Sequence, residues 1–170
     1  MSVDRRPINE EELQAFFMMI GSGIWYLQHV ENALNTCITV KGEIKEIGGV
    51  SAEAGEAMLA KHRRNTLGTS IRIAKEMDVL SAELMIALEE FKEERDWLVH
   101  RSMNQNADDL YLDSGRSALM NRLQKFADDA TRLQKLIAKE LEDFVAGKGV
   151  SREWIHKKAI SDVMKKQGKA

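Results

Sequence analysis

An arginine and a histidine lie five residues apart in the octapeptide ERDWLVHR, residues 94–101. Histidine can take up or release a proton near neutral pH, and a guanidinium can stabilise the charge that builds on a phosphorus atom. Arg95 and His100 could therefore cleave a phosphodiester without a metal ion. The 2′-hydroxyl would be the internal nucleophile, so the substrate would be RNA and the product a cyclic phosphate.

Several polar residues near this pair could assist it. Asp96 lies four residues before His100 and should share its helical face, where a carboxylate can fix the tautomer of an imidazole. Basic side chains could contact the RNA backbone beside the cleft, namely Arg101, Lys61, Arg63 and Arg64. The run KHRR, residues 61–64, could equally be a solvated helix end.

The spacing of the pair raises a geometric problem. On an ideal α-helix, a step of five residues leaves two side chains about 140° apart, so Arg95 and His100 would not reach one phosphate. Either the helix is distorted near residue 100, or two copies of it face each other across a two-fold axis. In the second case both chains would line one cleft, which predicts a homodimer.

The elements that carry these residues are predicted to be helices. With a single proline among 170 residues, the composition favours an all-α fold, and we expect one domain over residues 1–170, an antiparallel helical bundle. Apolar spacing predicts a long N-terminal helix from its cap at Asn9 to about residue 47. Shorter helices are predicted over residues 51–64, 65–77, 81–103 and 116–145, with an accessory helix at 151–166. The polar segment 104–115 predicts a mobile loop.

Other features exclude several classes of protein. Cys37 is the single cysteine, which predicts no disulfide and a cytoplasmic location. The start MSVDRRPINEEE is unlike a secretory signal, and no run of about 18 apolar residues could cross a membrane. No histidines have metal-ligand spacing, so we expect neither a metal nor another cofactor. The net charge of −2 argues against a general nucleic-acid coat but allows a local phosphate site.

The segment from Arg95 to His100, RDWLVH, resembles the ribonuclease motif of the HEPN superfamily (higher eukaryotes and prokaryotes nucleotide-binding). That motif has Arg and His separated by four to six residues near the end of a bundle helix, often with Asn, Asp or His directly after the arginine. The upstream segment TLGTSIRIAKEM is similar to the short helix that precedes the motif helix in such domains.

The resemblance implies a homodimer with a composite ribonuclease cleft, in which Arg95 and His100 are catalytic and Asp96 is auxiliary. It also implies a toxin or antiviral defence effector, with an antitoxin or another defence protein as a partner. Some members carry a tyrosine two residues after the histidine, which a partner nucleotidyltransferase modifies. Ser102 occupies that position here, which argues against this form of control.

Two alternatives remain open at this stage. The chain could be a catalytically inactive HEPN-like module that binds nucleotide, RNA or a protein partner. It could also be a plain helical scaffold whose dimer interface includes Arg95, paired with Glu93, Asp96 or a neighbouring helix.

Overall fold

The computed structural model describes residues 5–168, and this part of the chain is helical without a β-strand. The prediction of an all-α protein is confirmed. Residues 1–4 and 169–170, at the two ends of the predicted domain, lie outside the described part. The longer helices are α1 (Glu10–Cys37), α2 (Ala52–His62), α3 (Leu67–Glu76), α4 (Ala82–Asp96), α6 (Asp113–Gly147) and α7 (Arg152–Lys166).

Shorter helical segments extend or connect these helices. A π-helix, Ile38–Ile44, continues α1, and a second π-helix, Trp97–Arg101, continues α4. The five-residue helix α5 (Ser102–Asn106) and a 3-10 helix, Ala107–Tyr111, then lead to α6.

The helices begin where capping residues predict. The side chain of Asn9 accepts a hydrogen bond from the backbone N–H of Glu12, whose carboxylate accepts one from the backbone N–H of Asn9. Ser51 and Ser81 cap α2 and α4 with their side-chain oxygens. These caps satisfy backbone donors that a helix leaves unpaired, each at a gain of about 1 kcal/mol.

Helices α1 to α4 alternate in direction, as an antiparallel arrangement requires. Gly55 of α2 lies beside Ile44, and Arg63, just after α2, bonds to Asn32. The chain therefore returns along α1. The pair Lys75–Glu89 likewise joins the end of α3 to the middle of α4.

The two longest helices, α1 and α6, are neighbours that run in the same direction. Near their starts Glu12 lies 3.6 Å from Arg116, and near their far ends Lys41 lies 3.6 Å from Glu140. Because α4 runs against both of them, its C-terminal end lies beside the N-terminal half of α1. The apolar side chains of α1, α3, α4 and α6 form one core.

The segment 104–115 is folded, so the prediction of a mobile loop there was wrong. It contains the end of α5, the 3-10 helix and the start of α6. Gly115 permits this fold because a β-carbon at that position would lie 2.7 Å from the carbonyl oxygen of Asp109. Asn, Asp and Gly usually mark loops, which explains the error.

The C-terminal helix α7 has no buried residue and is held at its beginning by charged contacts. Arg152 bonds to Glu142 at 3.2 Å and to Asp143 at 2.6 Å. Within residues 5–168, no helix is long and apolar enough to cross a membrane.

Candidate functional site

The π-helix after α4 determines how the Arg–His pair is arranged. The backbone N–H of Ser102 donates to the carbonyl of Trp97, five residues earlier, so side chains five residues apart lie one turn apart. Arg95 Nη1 consequently lies 3.4 Å from His100 Nε2. Distortion of the helix, the first of the two geometric possibilities, is what brings the pair together. The geometric reason for a homodimer therefore disappears, and the dimer stays a prediction.

Two side chains donate hydrogen bonds to backbone carbonyls in or just before this π-helical turn. The hydroxyl of Ser102 donates to the carbonyl of Leu98 at 2.8 Å. Arg101 Nη2 donates to the carbonyl of Glu93 at 3.3 Å. Arg101, predicted to contact RNA, therefore also supports the turn, while its side chain remains 48% exposed. A serine hydroxyl bonded to the carbonyl four residues earlier competes with the backbone bonds of a regular helix and is associated with helix distortion.

The contact between Arg95 and His100 favours one arrangement of the imidazole protons. A guanidinium only donates hydrogen bonds, so a neutral His100 ring that bonds to Arg95 would accept at Nε2 and carry its proton on Nδ1. At 3.4 Å the bond is weak, and a phosphate oxygen could replace it at little cost. His100 is exposed and Arg95 is partly buried, so the pair opens to solvent from the imidazole side.

Asp96 contacts Arg95 and not His100, so the predicted support of the imidazole by Asp96 was wrong. Its Oδ1 accepts from Arg95 Nη1 at 2.8 Å, and its Oδ2 accepts from Lys92 Nζ at 2.8 Å. The bond from Lys92, followed by that from Arg95, keeps the pKa of Asp96 below its usual value despite partial burial. The π-helical turn has moved His100 out of the i+4 position that an α-helix would give it.

Glu31, a partly buried residue of α1, is electrostatically coupled to Arg95, although the Arg95–His100 motif gives no sign of it. Burial raises the pKa of its carboxyl, while the positive charge of Arg95 and the backbone N–H of Leu67 act in the opposite direction. Arg95 Nε is buried without a hydrogen-bond partner among the described residues. A signal was available, because Glu31 is a charged residue four positions after Leu27 on the apolar stripe of α1.

Comparisons of the chain with protein-family models, with curated proteins and with solved structures find no match. Among residues 5–168, no three His, Cys, Asp or Glu side chains are grouped as they would be to hold a metal ion.

The basic residues at the end of α2 lie beside α1 on the surface. Lys61, Arg63 and Arg64 are exposed. Arg63 Nε donates to Asn32 Oδ1 at 3.0 Å, which places this end of α2 next to the residue that follows Glu31. No contact among the described residues joins these cations to the Arg–His pair.

His62, within the same run, is buried, contrary to the interpretation of KHRR as an ordinary surface. Its Nε2 lies 3.0 Å from Glu43 Oε1, an ion-pair distance, and makes no hydrogen bond to a described residue. The ring therefore fastens α2 to the π-helix that continues α1 and is not available to RNA.

A cavity of about 590 Å³ lies away from the motif, between the N-terminal segment and the start of α6. Its arginines are already paired. Arg6 bonds to Glu12 at 2.6 Å and, with the capping bond, lowers the pKa of Glu12 to about 2. Arg116 donates to the carbonyl of Leu110 at 2.7 Å. These bonds fasten the N-terminal segment to α6 and do not contribute to the Arg–His site.

Proposed function

We propose that this protein is a cytoplasmic, metal-independent endoribonuclease of the HEPN type, acting as a toxin or an antiviral defence effector. Arg95 and His100 are its catalytic residues. The observation that carries the proposal is the π-helical turn, which brings Arg95 Nη1 and His100 Nε2 within 3.4 Å of each other. A structural role for the arginine alone would not require the imidazole at this place.

The proposed reaction is an internal transesterification. His100 Nε2 takes the proton of the 2′-hydroxyl, the 2′-oxygen bonds to phosphorus, and the bond from phosphorus to the 5′-oxygen breaks. The protonated His100 then gives this proton to the departing 5′-oxygen, so the products end in a 2′,3′-cyclic phosphate and a 5′-hydroxyl and the imidazole is restored. Arg95 stabilises the charge on the phosphoryl oxygens, and Asp96 holds its guanidinium in place.

A homodimer fits the surface around the motif. Val99 is 44% exposed, Met103 77% and Phe17 60%. Phe17 and Met103 also line one apolar groove beside the π-helical turn. Several large apolar side chains exposed close together are typical of an interaction surface. We propose that a second copy of the chain covers them and places two Arg–His pairs in one cleft.

Cleavage of total RNA and of tRNA in the presence of EDTA tests the proposal. We expect the wild type to cut and to leave 2′,3′-cyclic phosphate ends. His100→Ala and Arg95→Ala should each lower the rate by about 100-fold or more, because proton transfer and charge stabilisation are lost. His156→Ala and Arg72→Ala, which change exposed residues of the same types, are the matched controls.

The other outcomes separate the alternatives. Equal cutting by wild type and both variants would identify a contaminating nuclease and contradict the proposal. A folded wild type that binds RNA or nucleotide but cuts nothing would favour the inactive binding module. For a scaffold, Arg95→Ala should lower the melting temperature while His100→Ala leaves it unchanged.

A further inference from the structure

The π-helical turn needs an explanation, because a π-helix is rare and is found as a single turn where the surrounding structure holds it. An α-helix through residues 97–101 would separate Arg95 from His100. The contacts that keep this turn in its π form therefore control whether the Arg–His pair exists. Trp97, the first residue of the turn, makes two of them.

One face of the Trp97 ring is covered by a fixed arginine. Trp97 is 2% exposed, and the guanidinium carbon of Arg122, on α6, lies 3.6 Å from the centre of its ring. Arg122 is itself oriented by two hydrogen bonds of 2.9 Å to the carboxylate of Glu94, on α4. Stacking of a guanidinium on an indole is favourable. The two hydrogen bonds to Glu94 set the plane of the Arg122 guanidinium.

The edge of the same ring is held from the other side of the turn. Trp97 Nε1 donates to Asn106 Oδ1 at 3.0 Å, and Asn106 Nδ2 donates to Asp109 Oδ2 at 2.7 Å. The second bond orients the Asn106 amide so that its oxygen faces the indole. Because Trp97 precedes the turn's other residues and Asn106 follows them, this chain of bonds spans the whole turn.

We propose that Trp97, Asn106 and Arg122 are positioning residues that hold the turn in its π form and thereby place His100 beside Arg95. The inference rests on the proposed ribonuclease function only for its kinetic consequence. The geometric part concerns the contact between two side chains and can be measured without a substrate.

Asn106→Leu removes the acceptor of the indole while filling a position beside the apolar groove that Asn106 helps to line. We expect the nuclear Overhauser contacts between the His100 ring and the Arg95 side chain to disappear. The turnover number should fall roughly 10- to 100-fold with KM unchanged, as expected for misplaced catalytic groups. Gln105→Leu, the same kind of change at the exposed neighbouring position, is the matched control.

The double variant Asn106→Asp/Asp109→Asn tests the bonds themselves. A carboxylate at position 106 can still accept from Trp97 Nε1, and an amide at position 109 can donate back to it, so the chain of bonds is restored with unchanged total charge. We expect the double variant to show the Overhauser contacts and the turnover number of the wild type, which Asn106→Leu loses. A general loss of stability at Asn106 would not be reversed in this way.

Arg122→Gln tests the other face of the ring at a side chain that is 39% exposed, so it decides the matter if Asn106→Leu does not fold. Persistence of the His100–Arg95 contacts in Asn106→Leu or Arg122→Gln would overturn the inference, and so would a double variant that folds without regaining them. If the wild type cuts no RNA but the contacts are lost and regained as described, the proposed function fails and the positioning role stands.

Discussion

Arg95 lies at the edge of the core and interacts electrostatically with two acidic residues whose pKa values shift in opposite directions. Its side chain is 21% exposed, and a guanidinium in such a place is costly unless it is paired. Asp96 forms that pair and is stabilised in its charged form. Glu31 is the less favourable neighbour, because burial raises the pKa of its carboxyl in spite of Arg95.

Glu31→Gln should therefore raise the melting temperature by a few degrees near about pH 7. A raised pKa means that the folded state binds the proton of Glu31 more tightly than the unfolded state, so wild-type stability is lost as the pH rises through the folded pKa. The difference between variant and wild type should shrink toward zero as the pH falls below the ordinary glutamate value of 4.5.

Thermal unfolding over this pH range is the measurement, with Glu90→Gln, at an exposed position of α4, as the control. A Glu31→Gln protein that is less stable than wild type at neutral pH would show that attraction between Glu31 and Arg95 outweighs the cost of burial.

At the scale of elements, α1 approaches both α6 and the π-helical turn at Gly23. A β-carbon there would lie 3.3 Å from Phe126 and 3.6 Å from Leu98. Gly21, two residues earlier on the same helix, would meet nothing within 4 Å. The two glycines therefore allow one substitution to be compared at a crowded and an open position.

Gly23→Val should destabilise the protein by about 1–3 kcal/mol, because the added methyl groups overpack the junction. Gly21→Val should change stability by less than about 0.5 kcal/mol, because valine and glycine differ little in an exposed helix. Urea unfolding of both variants measures the free energies. Equal effects at the two positions would contradict the close packing of α1 on α6.

At the scale of the molecule, α7 is attached to the rest of the protein but does not belong to its core. The hydrophobic cluster is built from residues between Leu27 and Ile137. The contacts of Arg152 with Glu142 and Asp143 are exposed ion pairs, which contribute little to stability.

Ending the chain after Val150 should therefore lower the free energy of unfolding by less than about 1 kcal/mol and leave RNA cleavage unchanged. Leu133→Ala, in the core, should cost about 2–5 kcal/mol and provides the reference for a real loss of packing. Chemical unfolding and the cleavage assay are the measurements. Aggregation or inactivity of the shortened chain would show that α7 covers a surface the protein needs.

The sequence by itself determined where several of the long helices begin. Capping side chains at Asn9, Ser51 and Ser81 and the apolar periodicity behind them act within one or two turns, so they can be recognised without knowledge of the fold. The spacing of Arg95 and His100 is equally visible in the sequence, and ideal helix geometry shows the problem that this spacing raises. These local signals did not disclose that α1 and α6 lie side by side in the same direction.

Only the tertiary structure decided how that problem is solved. A backbone N–H can donate to the carbonyl four or five residues earlier, and contacts from other parts of the chain decide between the two. Here these contacts are those of Trp97 with Arg122 of α6 and with Asn106 beyond the turn. Because of this change of register, Asp96 bonds to Arg95 and not to His100. Helix periodicity describes an ideal helix, so it cannot reveal a single turn whose winding is set by distant side chains.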